Sequence, residues 1–412
     1  MSDDATGRAR VTAPTSSERF LEEFSESLPS VLNLEHWRVQ RDPAAEYCRI
    51  ESQVQEAVER ETAEQGVLRG DIFARLASAP GAPPGAGRHA VTTDELLETQ
   101  RAVLFNGAVQ ACDGTSEKHD SLAVTIYQIG ISLVSYAGNE GCWHQQLFRR
   151  DLRQKADDPV AAVIDLLERR QRREGLSSSS SDELSELARR GIMSYMERYV
   201  LVHAATAQWR MGHGSPAPLE LIGVGLVDLE IRSIRLVRDL VAHGRFVFVA
   251  SEQGNRLLNT IGQALYPLEY VVIGTLADYL HAALDKWRPT SAPSEDARWD
   301  LGKGEPLSPR EWLLRFRQEV APRIVYGLYR TSPLAPPQLF FAHPDFVHSA
   351  ARIALADSVL MEQRGFPMLI DMADRVCKAI YGGGSLREMA EAAYARAGAP
   401  YRFQSERPTR PD

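Results

Sequence analysis

The run from Ala102 to Phe148 constrains the fold more than any other part of the chain. Ala102–Cys112 (AVLFNGAVQAC) reads as a strand that stops at Asp113-Gly114-Thr115. Ser121–Tyr136 is rich in Val, Ile, Leu and Tyr and reads as a second strand. A turn of Asn and Gly over Ala137–Gly141 leads to a third, Cys142–Phe148. β-Branched and aromatic residues suit a pleated, half-buried surface, and Asn/Gly pairs reverse the chain tightly. An antiparallel meander is therefore expected.

The period then changes. Pro159–Arg173 reads as a helix and the serine run Ser177–Ser181 as a flexible linker. Ser181-Asp182 offers an N-cap to a long helix with Glu183 in its first turn. Along it Leu184, Leu187, Ile192, Met193, Met196 and Val200 recur at three- and four-residue spacing. Leu219–Leu226 and Phe246–Ala250 read as buried strands, each followed by a helix, Asp228–Val241 and Asn255–Ala264. After Pro-rich Pro289–Pro306, Val325–Tyr329 and Gln338–Ala342 add two strands, and helices from Phe346 and from Pro367 close the chain. A meander leading into strand–helix alternation predicts an α/β fold with an RNase H-like mixed sheet flanked by helices.

Ahead of this lies a helical N-terminal extension. Residues 1–17 read as a disordered tail, and Phe20–Leu34 and Glu51–Glu64 as helices. The stretch Pro80–Gly87 (PGAPPGAG) breaks any helix, and Thr93–Arg101 is a short helix leading into the first strand. The expected divisions are 1–17, 18–88, a main domain over 89–385, and a C-terminal helix and tail over 386–412.

Four scattered cysteines with no CxxC pair point to a reducing compartment and against a zinc ribbon. The polar N-terminus lacks the apolar core of a signal peptide, and Leu122–Tyr136 is too short and polar to span a bilayer. A cytoplasmic protein without membrane contact is expected. The net charge of −8 argues against a surface that binds nucleic acid everywhere. Arg149–Arg173, however, holds eight Lys or Arg against five acids, which suits either a solvated helix face or a phosphate-contacting edge.

No P-loop, HExxH or GxSxG is present, and Gly223-Val224-Gly225 lacks the third glycine of a dinucleotide fingerprint. Carboxylates at strand ends remain. Asp113 is either the metal-facing acid of a rigid edge or half of an Asp-Gly hairpin turn. Glu197, beside Arg198, is either a solvated helix residue or a second carboxylate brought to Asp113 by packing across the sheet; a hard divalent cation needs more than one such group. Trp209–Glu220 (WRMGHGSPAPLE) reads as a stiff exposed loop. In it His213 is a base, a ligand or a structural hydrogen-bonding residue, and Glu220 is near enough to add a carboxylate. His343-Pro344-Asp345 with His348 reads as a turn and N-cap more simply than as a metal cluster, and Asp371 and Asp374 as surface residues.

The order of these features resembles the NurA nuclease family over about residues 105–380. Asp113-Gly114-Thr115 is similar to its opening Asp-Gly-Ser, and Glu197 is placed like its helical glutamate. Residues 245–269 resemble its strand-into-helix segment. Gly365-Phe366-Pro367 with Ile370 and Ala373 resembles its closing Gly-Tyr-Pro-x-x-Leu-x-x-Ala-His helix. Two positions depart: His213-Gly214-Ser215 stands where a second Asp-Gly-Ser is expected, and Asp374 stands where the family has histidine. The resemblance implies a Mn²⁺- or Mg²⁺-dependent DNA nuclease acting on DNA ends with a HerA-type hexameric ATPase, in end processing or phage defence, as a homodimer. It implies Asp113 and Glu197 as metal ligands completed by Asp374 or Glu220, with His213 as ligand or proton-transfer group. An inactive adaptor that docks on the ATPase, and a different RNase H-like recombination or transposition nuclease, are the alternatives.

Overall fold

The computed structural model describes residues 16–37, 42–121, 124–149, 187–222, 227–251, 256–280 and 309–402. The chain divides into two compact units, Met1–Glu64 and Gln65–Asp412. The first is helical, with α1 (Ser16–Phe24) and the start of the long α2 (Pro43–Val67). The helix expected over Phe20–Leu34 is interrupted at Ser25, whose φ of 55° lies in the left-handed region.

In the second unit the strands are β1 (Gly87–Ala90), β2 (Val109–Asp120), β3 (Thr125–Ser135), β4 (Gly138–Arg149), β5 (Trp209–His213), β6 (Phe246–Ala250), β7 (Glu269–Thr275), β8 (Val325–Arg330) and β9 (Gln338–Ala342). The helices packed on them are α3 (Thr93–Thr99), α4 (Ile192–His203), α5 (Val227–His243), α6 (Arg256–Gln263), α7 (Val347–Ser358), α8 (Met368–Tyr381) and α9 (Gly383–Arg396). All nine strands form one sheet in the order β1-β7-β8-β9-β6-β5-β2-β3-β4. β2, β3 and β4 pair antiparallel, whereas β2–β5 and β5–β6 pair parallel. The run β4-β3-β2-β5-β6 thus has the strand order and sense of the RNase H-like fold, extended at β6 by an antiparallel set.

Strand alternation sorts the core into two layers. On β6, Phe246 and Phe248 join Leu201, Ile231 and Leu240 under α4 and α5, while Val247 and Val249 join Met211, Ala354, Leu369 and Ala373 under α7 and α8. Both faces of the sheet are therefore covered at its centre, as parallel pairing there requires.

Several expectations are corrected. Ala102–Leu104 is helical, and β2 begins only at Val109 and runs through Asp113-Gly114 to Asp120, so this pair makes no hairpin turn. Trp209–His213 is a buried parallel strand rather than an exposed loop, and Leu219–Ile222 is helical rather than a strand. β1 and β7 are strands that the sequence pattern does not reveal. Residues 1–15 of the tail, Pro159–Arg173, the basic run beyond Arg149, Ser177–Ser181, the Ser181-Asp182 cap, Gly223–Gly225 and Pro289–Pro306 lie outside the described residues. Among the described residues no helix is long and apolar enough to cross a membrane.

The start of α8 is held by a buried acid. Asp357 on α7 accepts the Leu369 N–H at 2.9 Å and the hydroxyl of Tyr136. Burial raises its carboxyl to about 6, against the lowering effect of those two hydrogen bonds. A folded-state pKa above the unfolded value near 3.8 means stability is full below that lower value and is lost as pH rises through about 6. Every tenfold gain in proton affinity on folding is worth about 1.4 kcal/mol. Asp357→Asn is expected to flatten the fall in chemical-denaturation stability between these pH values; an unchanged profile would reject Asp357 as its source.

Candidate active site

The site arises from a mismatch in strand length. β5 pairs with β2 only from Val109–Trp209 to Cys112–Gly212, while β2 continues to Asp120 beside β3. Past Cys112 the β5 side of β2 is therefore open. α4 covers one face of this open edge and α8 the other, leaving a cleft of about 410 Å³. Asp113, Glu197, Arg198, His213, Asp374 and Lys378 all line it.

Asp113 and His213 occupy adjacent positions on parallel strands and point to the α8 face. His213 Nδ1 lies 3.3 Å from Asp113 Oδ1, which also accepts the Gly114 N–H at 2.9 Å. The other ring nitrogen, Nε2, is 3.1 Å from Ser251 Oγ, and the ring meets Phe366 edge-on at 5.5 Å. Burial pulls the His213 pKa down, but the hydrogen bond and charge of Asp113, joined by Glu197, outweigh it and raise it above the ordinary value. The proton affinity of His213 is thus increased.

Glu197 enters from the opposite face. The three- and four-residue spacing of Met193, Met196 and Val200 turns one side of α4 to the sheet, and Glu197 lies on that side with only 6% exposure. Gly114, on the α4 face of β2, makes room for it: a Cβ there would stand 2.7 Å from Glu197 Oε1. The solvated reading of Glu197 is therefore corrected. Burial, reinforced by the charge of Asp113 and opposed by Arg198 and His213, pushes its carboxyl up to about 7. Buried Arg198 donates to Glu197 Oε2 at 2.6 Å, to Ser194 O at 2.8 Å, and to the His213 and Ser215 carbonyls at 3.1 and 2.6 Å. One guanidinium thereby ties α4 to the end of β5.

The α8 wall supplies Asp371, Asp374 and Lys378, with Arg364 from the preceding turn. Asp374 Oδ2 accepts from Lys378 Nζ at 2.8 Å. Asp371 is not a surface residue: it is buried to 9% exposure and bonded by Arg364 and by Arg375 at 2.6 Å. Glu220 has its backbone in the short helix after Ser215, and its side chain lies outside the described residues. His343 and His348 are not part of the cleft. His343 caps the turn after β9 through the Asp345 N–H, the role expected of Pro344-Asp345, and His348 meets Tyr270 Oη at 2.7 Å. Sequence reasoning passes over Arg198, Ser251, Arg364 and Lys378 as site residues. Only an arginine directly after a buried glutamate carries any signal.

Whether these side chains suit a divalent cation depends on how many donors are left open. Among the described residues no three His, Cys, Asp or Glu side chains form a ready-made cation site. Two carboxylates nevertheless converge across Gly114, each engaged through one oxygen, Asp113 Oδ1 and Glu197 Oε2. Their mutual repulsion contributes to the raised Glu197 pKa, the condition a cation would relieve. Mg²⁺-type ions are commonly held by one or two carboxylates, with water and substrate phosphate completing the shell. The residues fit an open site of that kind, not a closed protein cage.

No family model matches the sequence, and no curated protein matches it. Solved structures of NurA nucleases do resemble it in shape. The NurA nuclease from Sulfolobus solfataricus aligns over 87% of this chain and 98% of its own, with 10% identity and a TM-score of 0.46. A NurA structure with manganese aligns over 84% and 98%, with 8% identity and a TM-score of 0.40. An endonuclease V from Streptomyces avermitilis aligns over 81% and 94%, with 14% identity and a TM-score of 0.24. These are likenesses of shape at low sequence identity.

Proposed function

We propose that this chain is a divalent-metal-dependent deoxyribonuclease that hydrolyses phosphodiester bonds at DNA ends. The observation that supports it best is the meeting of Asp113, Glu197 and His213 where β2 outruns β5, at the open edge of an RNase H-like sheet. Asp113 and Glu197 would hold a Mn²⁺ or Mg²⁺ ion, which when bound supplies charge to the scissile phosphate and acidity to its water. Asp374, on the α8 wall, is the proposed third carboxylate, once phosphate draws Lys378 away from it. Arg364 and Lys378 would bind the phosphates flanking the scissile bond.

As water adds to phosphorus, giving up one proton to solvent, and the P–O bond to the leaving nucleotide breaks, the departing oxygen needs a proton. His213 Nε2, with the proton affinity of its ring raised by Asp113 on the far side, is the donor we assign to it. Arg198 donates to both Glu197 and the His213 carbonyl, so it holds the carboxylate beside the end of β5. The HerA-type ATPase and the homodimer belong to the same proposal and rest on the sequence resemblance. A chain carrying 41 acidic against 40 basic residues after Glu64 suits a nuclease that receives DNA from a partner.

The test is digestion of end-labelled linear DNA. Cleavage is expected with Mn²⁺ or Mg²⁺ and none with EDTA, and restoring the ion should restore it. Equal cleavage in EDTA, or none with either ion even in the presence of a cognate ATPase, would reject the nuclease. A second reading, an inactive adaptor docked on that ATPase, is favoured by one observation: Arg198 and Lys378 already neutralise Glu197 and Asp374. An adaptor would support the ATPase equally well with Asp113→Asn.

A further inference from the structure

Both nitrogens of the His213 ring are engaged, one of them by a group that the nuclease reading leaves without a role. Nδ1 is 3.3 Å from Asp113 Oδ1, and Nε2 is 3.1 Å from Ser251 Oγ. Neither ring nitrogen is therefore open to a substrate. What stands beyond Nε2 is the serine hydroxyl, on an exposed residue that lines the same cleft. Topology builds this row. β2, β5 and β6 are neighbouring parallel strands, paired at Cys112–Gly212 and at His213–Val249. Asp113, His213 and Ser251 stand at the carboxyl end of that pairing, the edge where open α/β sheets bind ligands. Ser251 lies two residues past Val249, so alternation turns it to the α8 face that Asp113 and His213 share.

We propose that Ser251 is a catalytic relay in DNA cleavage, passing a proton from His213 Nε2 to the oxygen that leaves phosphorus. The proposal rests on the nuclease reading. A hydroxyl can accept one hydrogen bond and donate another at the same time. As the P–O bond breaks, the Ser251 hydroxyl proton goes to the departing oxygen while the Nε2 proton goes to Oγ. Ser251 ends as a hydroxyl, His213 ends one proton poorer, and solvent restores that proton before the next turnover. Nothing beyond water is consumed. Position selects this role over that of a nucleophile. In-line displacement sets the attacking and leaving oxygens on opposite sides of phosphorus. Asp113 marks the side of the attacking water, and Ser251 stands across the imidazole from it.

The test varies the leaving group. Cleavage by the full chain is timed on linear DNA and on the same DNA with sulfur replacing the 3′ or the 5′ bridging oxygen of its terminal linkages. A thiolate departs without waiting for a proton. Ser251→Ala is expected to slow cleavage of ordinary DNA by about 100-fold, the lower end for loss of a general acid. On the DNA whose leaving atom is sulfur that deficit should disappear. Ser251→Thr, which keeps a hydroxyl, should restore most of the rate on ordinary DNA. Because Ser251→Ala removes one exposed hydroxyl, its Tm should match that of the unmodified chain. Equal slowing on oxygen and sulfur DNA would make Ser251 a structural residue and overturn the relay. Undiminished cleavage of ordinary DNA would overturn it too, leaving a hydroxyl that only caps the free imidazole. So would a nucleotide found covalently bound to Ser251 in quenched reactions, which would make it the nucleophile. In each of these outcomes the nuclease reading survives. An unmodified chain that cuts none of these DNAs with Mn²⁺, even beside a cognate ATPase, would instead reject that reading, and the relay with it.

Discussion

Asp113→Asn is expected to slow metal-dependent DNA cleavage by roughly 10²- to 10³-fold, the scale of removing a preorganised charge-stabilising group. The carbonyl oxygen of the amide can still accept the Gly114 N–H, so the strand should fold, at a cost of about 1 kcal/mol. What disappears is the charge, and three consequences follow. One of the two carboxylates proposed to hold the ion is gone. His213 loses its main source of raised basicity and is left with burial, which lowers its pKa. Glu197 loses the repulsion that helps lift its carboxyl to about 7. The variant should therefore be well folded, bind Mn²⁺ more weakly in calorimetry, and be almost inactive on linear DNA. Cleavage within tenfold of the unmodified chain would remove Asp113 from the centre of the mechanism.

Asp113 also shows which parts of the fold are legible in the sequence. The meander is visible in the Val, Ile, Leu and Tyr of Ser121–Tyr136 and the Asn/Gly turn, because there both faces of β3 are buried and the composition reflects it. The second half of β2, Thr115–Asp120, has almost no apolar residue, since it runs beyond its β5 partner, so the strand reads as ending at Asp113. β5 reads as a loop because Gly212 and Gly214 flank His213. Gly212 is there for packing: a Cβ would stand 2.3 Å from the Phe248 ring. The carboxylate of Asp371 suggests exposure, yet α8 turns Leu369, Ile370 and Ala373 inward and two arginines screen Asp371 beside them. Glu197 is placed only through the family resemblance. Nothing in its own segment distinguishes a glutamate that faces a sheet from one that faces water, because the decisive neighbour, Gly114, lies more than eighty residues earlier.

That neighbour carries the second large prediction. Gly114→Ala adds one methyl group at a point where Glu197 Oε1, Met193 Cγ and Ile131 Cδ1 would lie 2.7, 2.8 and 2.9 Å away. Real carbon contacts are longer, so at least one neighbour must move. Ile131 is pinned in the core of β3, which leaves α4 to shift through Met193 or Glu197. Overpacking of this kind costs about 1–3 kcal/mol, which lowers Tm by roughly 2–6 °C. The effect on cleavage should be disproportionate, because displacing a positioned group by about 1 Å costs on the order of 100-fold. Two companion variants separate these effects. Gly384→Ala, where nothing lies within 4 Å of the added methyl, should leave both stability and cleavage unchanged. Met193→Ala combined with Gly114→Ala gives back room for the helix but not for the carboxylate. Stability should then partly recover while cleavage stays low. If cleavage recovers in step with Tm, the role of Gly114 is packing alone and Glu197 need not approach Asp113 for catalysis.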